Sequence, residues 1–228
     1  MALNGTYAGL KASIADFLGR GDLAAAIPDF IILAEAQMAR RFAAAAAAGL
    51  PVPRRLVVRA DTTLAAGAEF VGVPGRFIGP RTFILQTDPV RELSYLSPET
   101  FTAAKKKLAF DTGDLPQYYT VIGEELQVMP APPVAAAAEM TYLAAPMPLS
   151  VSNPENWVLS NYPDIYLYGA LVQSAPYLDA DERLSTWGTI FTQAIADACN
   201  ADPLPTDKTQ LRADVPRGGN RYVLRTDI

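Results

Sequence analysis

The side chains that could do chemistry in this sequence are carboxylates and little else. The chain holds 24 Asp and Glu residues, one cysteine and no histidine. Serine–histidine and cysteine–histidine nucleophilic systems need an imidazole to accept the proton, so neither can be built. Zinc centres of the Cys/His type lack their ligands for the same reason. Residue types alone still permit acid/base work by two carboxylic acids, as in glycoside hydrolysis, but no spacing singles out a pair among so many acids. Asp179, Asp181 and Glu182 could ligate a metal. Asp179 followed by Glu182 also has the spacing of a helix capping box, and that reading is preferred. Cys199 reads as a small buried residue near a helix end, with no histidine to activate its thiol. The glycines of GVPGRFIGP, at Gly72, Gly75 and Gly79, miss both nucleotide-loop spacings and read as turn residues. Lys105 to Lys107 read as a solvated helix end, with contact to DNA or an acidic partner as the alternative. No cofactor is implied by any of these groups.

More distinctive is YPDIYLYGALVQSAPYLDADER, in which Tyr162, Tyr166, Tyr168 and Tyr177 crowd two candidate helices, with Trp187 following. Such amphipathic aromatics line a substrate cleft, pack within the subunit, or form the surface of something that assembles. A net charge of −5 argues against tight nucleic-acid binding, because phosphate neutralisation supplies most of that affinity. No apolar run approaches the roughly 18–20 residues of a membrane span. The opening MALNGTYAGLKASIADFLGRGD lacks the pattern of a secretion signal. A lone cysteine excludes an internal disulfide framework and fits folding in a reducing cytosol.

The elements that must position these residues follow from periodicity and punctuation. Residues 1–53 read as two helices. The first is capped by Thr6, with Tyr7, Leu10, Ile14, Phe17 and Leu18 on one face. The second opens at Pro28, carries the stripe Ile31, Ala34, Met38 and Phe42, and runs through Ala43 to Ala48 until Gly49. Residues 54–150 change period. RLVVRA, EFVGV, RTFILQT, YYTVI, LQVMP and MTYLA read as short strands, with a hairpin turning at Gly123. A short helix near 98–107 interrupts them, capped by Ser97. Residues 151–202 return to helix, one starting at Pro163 with Ile165, Tyr168, Leu171, Val172, Ala175 and Leu178 facing inward. A second carries Leu184, Trp187, Phe191, Ile195 and Ala198. Residues 203–228 form an extended arm too poor in apolar content to pack as a domain. The expected class is α+β, a small bundle of N- and C-terminal helices with an inserted, mainly antiparallel β region.

The segment NWVLSNYPDIYLYGALVQSAPYLDADERLSTWGTIFTQAI resembles the tailed-phage head-to-tail adaptor (connector) proteins. The matching positions are Trp157, Tyr162 to Leu171, Ala175 to Leu178, Asp181 to Arg183 and Trp187. IPDFIILAEAQMARRF is similar to that family's second helix, LPQYYTVIGEELQVMPAPP to its hairpin, and MTYLAAPMPLS to the strand that follows. Asp61 to Gly75 departs from the pattern. The resemblance implies a non-enzymatic virion component of the neck, made in the bacterial host cytoplasm. It implies a dodecameric ring of identical copies, with the portal protein above and a tail, stopper or nozzle protein below. DNA would pass through the lumen without specific binding. Ring closure needs a heterologous interface, which gives Tyr162, Tyr166, Tyr168, Tyr177 and Trp187 a role as an inter-subunit or core helix face. The arm leans basic, and Arg212, Arg217, Arg221, Tyr222, Val223, Leu224 and Arg225 are expected to bind the portal or a neighbouring subunit.

Overall fold

The first helix begins where Thr6 leaves the extended conformation and its hydroxyl accepts from the Gly9 N–H. It ends at Gly19, whose left-handed backbone returns its N–H to the Ala15 carbonyl. This computed structural model describes residues 5–111, 113–178 and 182–203. Its helices are α1 (Tyr7–Leu18), α2 (Ile27–Ala47), α3 (Pro98–Lys107), α4 (Trp157–Asn161), α5 (Pro163–Gln173) and α6 (Arg183–Ala201). The strands are β1 (Val57–Leu64), β2 (Phe70–Gly72), β3 (Phe77–Leu85), β4 (Arg91–Glu92), β5 (Ser94–Tyr95), β6 (Tyr118–Ile122), β7 (Glu125–Met129) and β8 (Ala136–Ala144). The class is α+β, as expected.

Helices α1, α2, α5 and α6 share one apolar core, with α5 at its centre. On α5, Ile165, Tyr166, Leu167, Gly169, Ala170 and Leu171 are all buried. A helix apolar around most of its circumference must be enclosed, and α5 packs against α1, α2 and α6. The sequence reading put Tyr168 on the inner stripe; Tyr166 is the fully buried tyrosine and Tyr168 is half-buried. The short helix α4 was not anticipated. Asn156 caps it by accepting from the Leu159 N–H, and Tyr162 breaks it from α5 at φ −136°. Pro163 imposes that break by keeping the residue before it out of the helical region.

The capping-box reading for α6 pairs Glu182 with Asp179, which lies outside the described residues. That helix starts at Arg183, so Glu182 precedes it rather than sitting at its third position, and the Glu182 side chain makes no cap hydrogen bond. Asp181 lies outside the described residues as well. By contrast Ser97 does cap α3, accepting from the Thr100 N–H.

The β region is two four-stranded sheets, ordered β1-β8-β3-β4 and β2-β7-β6-β5. Every pairing is antiparallel except the short β5–β6 contact. Their inner faces share a second core that includes Phe83, Leu85, Tyr119, Leu126, Val128 and Met140. Strand β8 extends back through the alanine run to Ala136, a stretch that favours helix by intrinsic propensity. Tertiary context overrides that preference, because Ala136 and Ala138 are small enough to fill the space between the sheets. Gly123 turns the β6–β7 hairpin at φ +62°. Two of the expected turn glycines sit in strands instead. Gly72 closes β2, and Gly79 lies at a register irregularity in β3, where a missing side chain eases the bulge. Lys105 is no free helix end. It pairs with Glu69, tying α3 to the segment entering β2 and holding the Glu69 carboxyl below its ordinary pKa.

The two cores meet where Leu143, Val57 and Ile78 reach the helical cluster. Arg54 and Asp202 strengthen that junction with an ion pair at 2.8 Å and a backbone hydrogen bond. Pro53 and Pro203 form an antiparallel bridge beside it.

Candidate assembly surface

The aromatic residues singled out from sequence do not form one surface. Tyr166 and Trp187 are in the subunit's own core, 1% and 6% exposed. Tyr162 is half-buried against the same core, edge-on to Trp157 at 6.3 Å. Tyr168 also packs on that core from a half-buried position. Tyr177, 51% exposed, lies against Phe30 with ring centroids 5.3 Å apart. Ile32 and Leu33 are exposed on α2, the helix that carries Phe30, so this helix presents large apolar side chains to solvent. The arm residues Arg212, Arg217, Arg221, Tyr222, Val223, Leu224 and Arg225 lie outside the described residues.

Tyr166 is the hub of a buried polar network that sequence reasoning missed. Its hydroxyl donates to Glu35 at 3.0 Å and accepts from the Asn156 side-chain amide at 2.6 Å. Glu35 also accepts from the Leu149 N–H at 2.7 Å, and Asn156 donates to the Met147 carbonyl at 2.7 Å. These bonds fasten the connection between β8 and α4 across helices α2 and α5. Burial pushes the Glu35 carboxyl above its ordinary pKa, although both donors favour the ionised form. The same burial, with the Glu35 charge beside it, raises the Tyr166 phenol. The network is an internal fastening: the carboxylate is engaged by a backbone N–H and a phenol. One cue was available in IILAEAQM, where Glu35 follows Ile31 by one helical turn and lies on the flank of the apolar stripe.

The close packing of α5 depends on Gly169. A Cβ there would stand 2.8 Å from the Phe191 ring and 3.1 Å from Ala34. Only a hydrogen fits between α5 and its neighbours at this point.

A groove of about 550 Å³ opens between α2 and α6, lined by Ala44, Ala48, Leu50, Pro51, Ile195 and Cys199 among others. The alanine run creates it, since small side chains on the last turns of α2 leave the space unfilled. Cys199 is buried at its floor, and that burial raises the thiol pKa. Among the described residues no cluster of acids, cysteines and histidines could hold a metal. No helix among them is long and apolar enough to cross a membrane.

Comparison with curated proteins returned no match. A family model does match, and it spans residues 5–217, from the start of α1 through both cores and past the last described residue. A match over nearly the whole chain makes the assignment: the chain belongs to the SU10 adaptor protein family, structural adaptors of tailed phages.

Proposed function

We propose that the protein forms a dodecameric ring in the phage neck that joins the portal to the tail and continues the DNA channel. The family match over residues 5–217 carries this reading. The exposed apolar side chains Tyr177, Ile32 and Leu33 support it, because a heterologous ring interface needs unlike faces that bury such side chains. In this reading the subunit performs no catalysis. It is made in the host cytoplasm and meets DNA only in passing, as its net charge of −5 allows. The basic arm, Arg212 to Arg225, reaches the portal or the next subunit, and a tail, stopper or nozzle protein binds below.

The arm can be tested directly. Deleting residues 212–228 will abolish attachment to portal-bearing capsids, measured by co-sedimentation. Undiminished attachment would remove the arm from the interface. A cross-linking map of intact particles then separates this position in the neck from another tail or nozzle piece.

A further inference from the structure

The last described residues are aimed at the groove between α2 and α6. Pro203 pairs antiparallel with Pro53, and the Arg54 N–H bonds the Asp202 carbonyl at 3.0 Å. An antiparallel pairing continued past Pro203 leads toward Val52, Pro51 and Leu50. Pro51 and Leu50 form the rim of the groove, and Leu50 is 59% exposed there. The residues that come next are Leu204-Pro-Thr-Asp-Lys-Thr-Gln-Leu211.

We infer that this segment, residues 204–211, docks in the α2–α6 groove of its own subunit, with Leu204 and Leu211 covering the apolar floor. Length allows it. Arg41 to Ala48 covers about 10 Å of helix, whereas eight extended residues span about 26 Å. A specific ion pair is available as well, although Asp207 and Lys208 leave the segment with no net charge. Arg41 lines the groove and makes no ion pair among the described residues, and Asp207 falls midway along the segment. The covalent tether at Pro203 supplies an effective concentration in the millimolar range, so a weak intrinsic affinity suffices. The family match ends at residue 217, so it includes this segment but not the distal residues 218–228. Docking would anchor the base of the arm and leave Arg212 to Arg225 free to reach a partner.

The test places a thiol on the rim, using Leu50→Cys in a Cys199→Ala background of the full chain. Leu50 is already exposed, so labelling by a maleimide needs no unfolding. Labelling is expected to be about tenfold slower than in the same chain carrying Leu204→Ser and Leu211→Ser. That protection will be independent of protein concentration and will survive deletion of residues 212–228. Equal rates with and without the two leucines would overturn the inference. So would protection that grows with concentration, which would make the occupant a second copy, or protection lost with residues 212–228. The measurement uses neither portal nor particle, so its failure would leave the adaptor reading standing.

Discussion

Alanine at Gly169 will destabilise the fold, and alanine at Gly188, on the neighbouring helix, will stabilise it. Both glycines lie inside helices, where alanine is intrinsically better by about 1 kcal/mol. At Gly188 nothing lies within 4 Å of the added Cβ, so that gain is realised. At Gly169 the Cβ would meet the Phe191 ring at 2.8 Å, and this ring is 1% exposed in a filled core. The ring has nowhere to yield without displacing its own neighbours. Overpacking of this kind costs roughly 1–3 kcal/mol, against a helical gain of about 1 kcal/mol. The net loss of up to about 2 kcal/mol corresponds to a Tm lower by up to roughly 8 °C in a chain of this size. Thermal and urea unfolding of the two variants side by side will show opposite signs. If Gly169→Ala gains as much stability as Gly188→Ala, the α2–α5–α6 packing is wrong.

Removing the Glu35 carboxylate will cost more. Glu35→Ala leaves the Leu149 N–H and the Tyr166 hydroxyl without their acceptor, at about 1–3 kcal/mol for each buried group. Relief of the buried charge offsets part of this, so a loss of roughly 2–4 kcal/mol is expected. Glu35→Gln retains an acceptor for both donors and will lose far less. The two variants also separate by pH. The folded state raises the Glu35 pKa, so between the ordinary carboxylate value and the raised one the native protein holds a proton that the unfolded chain has released. Glu35's contribution is therefore greatest below that window and falls as pH rises through it, then stays flat. The stability of the parent minus that of Glu35→Gln should decline over that window. A difference that rises with pH would mean that the two hydrogen bonds outweigh burial.

The helical half of the fold was legible because its signals are local. Thr6 and Ser97 start helices through their hydroxyl caps and Pro163 through its fixed φ, all three where expected, while α2 begins one residue before Pro28, at Ile27. Less legible were the features decided by tertiary context. Ala136 and Ala138 join a strand because two sheets need small residues between them. Tyr166 displaces Tyr168 from the core because it has Glu35 and Asn156 to satisfy its hydroxyl. Gly169 is demanded by a ring that is 22 residues away in sequence, at Phe191, and no local pattern announces such a contact. The α2–α6 groove was equally hidden. The alanine run reads as a good helix former, and only the packed structure shows that it leaves a face unfilled.

Whether the aromatic helices serve an assembling subunit is tested most directly by the mass of the purified protein, alone and with portal rings from the same phage. The adaptor reading predicts that many copies join each portal ring in a fixed ratio, whatever the oligomeric state of the protein on its own. A protein whose mass is unchanged by portal, and which is missing from purified particles, would contradict it.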